Sequence, residues 1–151
     1  MKSVIGIDPG KHGAIAVIAP DGLWGVVDMP DTNAGILTVL RRSISAGSIV
    51  VLEEQHHRGF SDRLNGKTLT TFMSHYGALQ MALASLNVQP ITVAPKTWQA
   101  ELLGSTATGE TKDAAMEYAN RCIPKLKIKK SQADAVCLAL WGKQAGKLRV
   151  L

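Results

Sequence analysis

The chain has 151 residues, of which 46% are hydrophobic, and this fits one globular domain over residues 1–151. Lysine and arginine outnumber acidic residues by 17 to 12, with a balance of −1 over residues 1–60 and +6 over residues 61–151. This asymmetry indicates that a polyanion binds surfaces of the second half. No apolar run approaches ~18 residues, which excludes a membrane span and points to the cytosol. Cys122 and Cys137 lack zinc-site spacing and form no disulfide framework.

The predicted elements alternate between strands and helices. In chain order, we predict strands over residues 3–8, 13–19 and 22–28, a helix over 34–45 capped by Asn33, a strand over 49–52 that leads into Glu53, a polar loop over 55–67, a helix over 68–86, a strand over 89–93, and helices over 95–103, 111–122 and 131–143. A three-strand meander followed by alternating helices and strands predicts an α/β fold, namely a mixed five-stranded sheet with helices on both faces.

Three acidic residues stand in apolar surroundings. Asp8 ends the first strand, Glu53 follows the fourth, and Asp134 is the one formal charge in the first ten residues of the last helix. Burying a carboxylate is costly unless it has a partner or binds a metal ion. If the three side chains converge, their mutual repulsion favours a bound cation, and oxygen ligands are typical of Mg²⁺ sites.

These acids also belong to an ordered set of motifs. The set comprises Gly6-Ile7-Asp8-Pro9-Gly10 with Gly13-Ala14-Ile15-Ala16, Val51-Leu52-Glu53, Gly77, Pro95-x-x-Trp98, Lys112, Pro124 and Ala133-Asp134-Ala135. It resembles the RuvC-type Holliday junction resolvases of the RNase H-like nuclease superfamily, particularly their short phage and plastid versions. The resemblance implies a homodimeric, Mg²⁺-dependent endonuclease that cuts four-way DNA junctions symmetrically. Mn²⁺ is expected to substitute, and the expected compartment is the cytosol of a bacterium or a phage-infected cell.

The resemblance also assigns roles to the acids. Asp8 is expected to bridge two Mg²⁺ ions about 4 Å apart, with Glu53 on one ion and Asp134 on the other. Glu54 is the rival of Glu53, but neighbours on a strand face opposite ways and the family pattern favours the first acid. Lys112 either contacts the scissile phosphate or is an ordinary solvated lysine.

A second group of residues is predicted to contact DNA. The group is His56, Arg58, Phe60, Arg63 and Lys67 in the polar loop, Lys96 and Trp98 on the helix over 95–103, and Lys130 in a basic cluster that begins at Arg121. The cations are expected to bind phosphates, and Phe60 to stack on bases at an open crossover. Each has a structural alternative: Phe60 folds back onto the core, Trp98 packs between helix and sheet, and the basic cluster is a solvated face.

Two further expectations concern assembly and the metal site. Paired cuts require a twofold dimer, and the apolar stripe of the helix over 68–86 either forms its interface or packs on its own sheet. The stripe is Leu69, Phe72, Met73, Tyr76, Leu79, Gln80 and Leu83. RuvC-type enzymes commonly carry a further acid or histidine three or four residues before the final aspartate. Here Ser131 and Lys130 occupy those positions, so either water replaces this ligand or it lies elsewhere.

Three functions remain open at this level. The first is junction resolution, the second is a related RNase H-like nuclease that acts on other branched DNA or on RNA, and the third is a junction-binding module with weak cleavage. Sugar kinases and actin-like ATPases open with a similar strand-turn-strand motif. Their nucleotide lies between two copies of the fold, however, and a second copy is absent from this sequence.

Overall fold

The structure, a computed structural model, describes residues 2–55, 66–104 and 110–148, with side chains to residue 145. Its strands are β1 (Val4–Asp8), β2 (Ala14–Ile18), β3 (Trp24–Asp28), β4 (Ile49–Glu53) and β5 (Ile91–Val93). Its helices are α1 (Asn33–Ser43), α2 (Gly66–Ser85), α3 (Pro95–Leu103), α4 (Thr111–Cys122) and α5 (Ala133–Leu148), with a 3-10 turn at Lys130–Gln132 before α5. No helix within these described ranges is both long and apolar enough to span a membrane.

The five strands form one mixed sheet in the order β3-β2-β1-β4-β5. Strands β1, β2 and β3 are an antiparallel meander, while β4 pairs in parallel with β1 and with β5. Parallel neighbours need a crossover connection: α1 lies on the path that returns the chain from β3 to β4 beside β1, and α2 connects β4 to β5. The predicted α/β fold with a mixed five-stranded sheet is confirmed.

Successive residues of each strand point to opposite faces of the sheet, and a core covers each face. Ile5, Ile7 and Leu52 belong to a core formed with α1 and α2. Val4 and Val51 belong to a second core formed with α3, α4 and α5. Because side chains alternate along a strand, each apolar strand serves both cores, and helices cover both faces as predicted.

Helix α5 lies directly against β1, at Gly6. A Cβ atom at this position would be 2.2 Å from the carbonyl oxygen of Ala135 and 2.4 Å from the backbone nitrogen of Ala139. Only a residue without a side chain permits this approach. The close contact brings the N-terminal turn of α5, which carries Asp134, next to the strand that carries Asp8.

One sequence-based assignment is corrected, and one open alternative is partly resolved. Thr32, not Asn33, caps α1: its Oγ1 accepts a hydrogen bond from the backbone nitrogen of Gly35 at 3.0 Å. The apolar stripe on α2 packs partly on its own sheet: Tyr76, Leu79 and Leu83 are buried in the core, whereas Leu69, Phe72 and Met73 are half-buried and Gln80 is exposed.

Candidate active site

The three acids of the sequence pattern meet at one end of the sheet. Asp8 is the last residue of β1 and Glu53 is the last residue of β4. Since these strands are parallel neighbours, their carboxyl ends lie side by side. Asp134 comes from the first turn of α5, and all three side chains line one open cleft of about 1110 Å³. The structure thus brings together the residues that the sequence singled out.

Burial and mutual repulsion disfavour the charged form of these carboxyls. Burial, then the charges of Glu53 and Asp134, raises the pKa of Asp8 to about 8. Burial also raises the pKa of Glu53 to about 7, with a further contribution from Asp134. Burial raises the pKa of Asp134 as well. Without a countercharge, the cleft is therefore under electrostatic strain near neutral pH.

Lys112 supplies part of that countercharge. Its side chain lines the cleft from the first turn of α4, and its positive charge lowers the pKa of Asp8, Glu53 and Asp134. The residue itself is exposed, so its ammonium remains accessible to a bound anion. The predicted position of Lys112 beside the acids is observed, and contact with a phosphate remains a prediction.

The donor set fits a hard divalent cation. It consists of carboxylate oxygens on three elements that face a solvent-open cleft, which is the ligand chemistry that Mg²⁺ prefers. Within the described ranges, no three His, Cys, Asp or Glu side chains are close enough to hold one ion by themselves. Because Mg²⁺ retains several water ligands and often binds through one or two carboxylates plus a substrate phosphate, an open arrangement of this kind suits it.

Glu53 is held by two hydrogen bonds. The indole Nε1 of Trp98 donates to Glu53 Oε2 at 2.8 Å, and Gln55 Nε2 donates to Oε1 at 3.4 Å. Both bonds lower the pKa of Glu53, although burial outweighs them. Glu54 lies near Tyr76 instead, and the pKa of Tyr76 is raised by burial and then by the charge of Glu54. Glu53, and not Glu54, therefore lines the cleft.

The prediction that Trp98 contacts DNA is wrong for this structure. Its side chain is 0% exposed and belongs to the core between the sheet and helices α3, α4 and α5. A ring without solvent contact cannot press on a duplex. The alternative of a core residue is the one observed, and sequence reasoning missed its bond to Glu53. The available signal was that a buried tryptophan usually needs an acceptor for its N–H.

The predicted DNA contacts are distributed unevenly. Lys67 lines the cleft at the start of α2, and Lys96 is exposed on α3 outside the cleft-lining set. Lys130 is exposed and forms an ion pair of 2.5 Å with Asp113. His56, Arg58, Phe60 and Arg63 lie outside the described residues.

Sequence reasoning also missed His75. It lies on α2, where it lines the same cleft as the acids, and burial lowers its pKa. Its Nε2 is buried and has no hydrogen-bond partner within the described part of the chain. Asp31 and His12 line the same cleft. Ser131 is exposed in the 3-10 turn and does not line the cleft, so it supplies no further side chain beside Asp134.

Comparison with known proteins gives structural matches only. No protein-family profile and no curated protein sequence matches the chain. The structure of Thermus thermophilus RuvC aligns with a TM-score of 0.67 and 19% identity, over 97% of this chain and 96% of that one. The chain has the fold of RuvC.

Two further structures align with the chain. T. thermophilus RuvC in complex with a Holliday junction substrate gives a TM-score of 0.67 and 19% identity, over 98% of this chain and 96% of that one. The yeast mitochondrial Holliday junction resolvase Ydc2 gives a TM-score of 0.45 and 14% identity, over 97% and 81% of the two chains. At these identities the RuvC matches establish the fold, and function depends on the cleft.

Proposed function

We propose that this protein is a metal-dependent, structure-specific endodeoxyribonuclease that resolves four-way DNA junctions by paired phosphodiester hydrolysis. The observation that carries the proposal is the convergence of Asp8, Glu53 and Asp134, with Lys112, in one open cleft of a RuvC fold. The complex of T. thermophilus RuvC with a Holliday junction substrate supports branched DNA as the ligand class. The resemblance to short phage and plastid resolvases supports a bacterial or phage-infected cytosol as the setting.

The residues of the cleft suit phosphodiester hydrolysis. Two Mg²⁺ ions, or Mn²⁺ in their place, would be held by Asp8, Glu53 and Asp134, and would activate a water and offset charge on the leaving oxygen. Lys112 presents a further positive charge to the negative charge that develops on the phosphate. When the three carboxyls are ionised they repel the phosphates of DNA, and bound cations would remove that repulsion.

The proposal includes a homodimer and a basic DNA-binding surface. A four-way junction has twofold symmetry, and one cleft in each chain makes a twofold pair of chains the simplest source of paired cuts.

The proposed DNA-binding surface is basic. Lys67 lies in the cleft, and Lys96 and Lys130 are exposed beyond it. The proposed set is completed by His56, Arg58, Phe60 and Arg63 from the segment that follows Gln55 in the sequence.

Cleavage of a synthetic mobile four-way junction tests the proposal. The junction is compared with a matched duplex, a flap, an RNA junction and an RNA duplex, in Mg²⁺, in Mn²⁺ and in EDTA. We expect metal-dependent, symmetric cuts in the DNA junction and none in the duplex, with Asp8→Asn inactive. Preferential cleavage of the flap or of RNA would instead support a related RNase H-like nuclease. Tight junction binding without cleavage in either metal would support a binding module.

A further inference from the structure

We propose that Trp98 is a positioning residue for the metal site: its indole N–H fixes the carboxylate of Glu53 in the orientation that binds the cation. This inference rests on the proposed function, because it assumes that Glu53 is a metal ligand. It assigns to Trp98 a role that replaces the DNA contact expected from the sequence.

The geometry links a buried ring to a cleft residue. Glu53 ends β4, Trp98 lies in the first turn of α3, and 45 residues separate them in the chain. The Nε1–Oε2 distance of 2.8 Å is that of a strong charge-assisted hydrogen bond. Trp98 is 0% exposed and Glu53 is 8% exposed, so water reaches the indole not at all and the carboxyl group only from the cleft. The indole cannot turn away without disrupting the core around it.

The two oxygens of Glu53 are held unequally. Oε2 accepts the short bond from the rigid indole, whereas Oε1 is reached only at 3.4 Å by Gln55, which itself lines the cleft. Side chains that hydrogen-bond a metal ligand fix its orientation, and their loss typically weakens metal binding or activity. The indole therefore removes rotational freedom from Glu53 and leaves Oε1 as the oxygen that is free to exchange its weak partner for a cation.

The chain contains a matched control for this bond. Trp141 Nε1 donates to Glu101 Oε2 at 2.6 Å, which is the same pair of groups at a similar distance. In that pair Glu101 is exposed and Trp141 is half-buried against the core, and neither residue lines the cleft. Trp98→Phe and Trp141→Phe therefore delete the same hydrogen bond at two places, of which only one touches the proposed metal site.

The test measures cation binding first without DNA and then during cleavage. Mn²⁺ binding is titrated calorimetrically for the wild type, Trp98→Phe and Trp141→Phe, and the Mg²⁺ concentration for half-maximal junction cleavage is measured for each. We expect Trp98→Phe to bind Mn²⁺ about tenfold more weakly and to need about tenfold more Mg²⁺. Its KM for the junction should be unchanged, and high Mg²⁺ should restore most of kcat. Trp141→Phe should match the wild type.

A second variant distinguishes the loss of the hydrogen bond from a folding defect. Site-specific incorporation of 3-benzothienylalanine at position 98 replaces the N–H with sulfur and keeps the shape of the ring, so the core stays filled. We expect this protein to show the same weakened cation binding as Trp98→Phe. Wild-type cation binding in the isosteric variant would overturn the proposal, even if Trp98→Phe is less stable, because Trp98 would then act through packing alone.

The failure of the proposed function has a different signature. A wild-type protein that binds no Mn²⁺ and cuts no junction would refute the metal-dependent nuclease, and the role of Trp98 with it. If the wild type binds and cuts while both position-98 variants match it in cation dependence, only the role of Trp98 is refuted.

Discussion

At the scale of single residues, the cleft concentrates charge that the fold itself does not neutralise. Asp8 and Glu53 have pKa values raised to about 8 and about 7, chiefly by burial. Lys112 opposes this shift but does not cancel it. Burial strengthens the repulsion between the ionised carboxyls. A bound cation would remove that repulsion and would stabilise their charged form.

Neutral isosteres of the three acids should separate binding from cleavage. Asp8→Asn, Glu53→Gln and Asp134→Asn are each expected to abolish junction cleavage while junction binding persists or tightens, because each removes negative charge near the phosphate. Cleavage assays and gel-shift titrations measure the two effects. Glu117→Gln, at an exposed position of α4, is the control and should cleave normally. Near-normal cleavage by any of the three variants would show that its residue is not a ligand.

The raised pKa values also predict how stability depends on pH. The usual pKa values are 3.8 for Asp8 and 4.5 for Glu53, against about 8 and about 7 in the folded protein. Between pH 4 and 8 the folded state therefore binds more protons than the unfolded state, and stability falls as pH rises. The slope is at most about 1.4 kcal/mol per pH unit for each proton.

Urea denaturation at several pH values in EDTA measures this loss. Asp8→Asn should flatten the decline and should be more stable than the wild type at pH 8, with little difference at pH 4. Added Mg²⁺ should restore wild-type stability at pH 8. Identical slopes for the two proteins would mean that Asp8 ionises freely in the folded state.

At the scale of elements, the contact between α5 and β1 sets the distance between the acids that they carry. Gly6 is the point of closest approach, since a Cβ there would overlap the backbone of Ala135 and Ala139. Backbone atoms cannot move aside as a flexible side chain can. Any side chain at position 6 must therefore push α5, and with it Asp134, away from Asp8.

A pair of glycine substitutions tests this dependence. Gly6→Ala should destabilise the protein by about 1–3 kcal/mol or more through overpacking, and should weaken Mn²⁺ binding. Gly25→Ala, in β3, is the control, because its Cβ would have no atom within 4 Å. Thermal unfolding and Mn²⁺ titration measure both variants. Gly6→Ala with unchanged cation affinity would show that the site does not depend on this helix position.

At the scale of the whole molecule, assembly and charge both depend on which residues remain at the surface. The inner side of α2 is occupied by its own core, which leaves Met81, 70% exposed, on the outer side. Two lysines of the basic cluster that begins at Arg121 form ion pairs: Lys129 with Asp28 at 2.5 Å, and Lys130 with Asp113. Fewer lysines of this cluster are therefore unpaired than the sequence suggests.

The outer side of α2 is the surface on which we expect the dimer to form. Met81→Glu should convert the dimer into a monomer and should abolish paired cutting, because it places a charge in an apolar contact. Light scattering measures the mass, and a cruciform plasmid distinguishes paired cuts from single nicks. Leu23→Glu, equally 70% exposed but before β3, is the control and should remain dimeric. A wild-type monomer that still makes paired cuts would refute the dimer.

The sequence by itself determined the features that depend on local pattern. Apolar runs and helical spacing located the five strands and the five long helices to within a few residues, because burial of one face imposes a period on the chain. Asp8, Glu53 and Asp134 stood out for the same reason: each interrupts an apolar pattern that has no local use for a charge.

Tertiary structure decided which surfaces and side chains meet. The spacing on α2 identified an apolar face, but only packing showed that Tyr76, Leu79 and Leu83 turn towards the sheet. The bond from Trp98 to Glu53 joins residues 45 positions apart, and no periodicity connects them. The position of His75 in the cleft has the same origin. A pattern records which residues avoid water, whereas their partners depend on how distant elements pack in three dimensions.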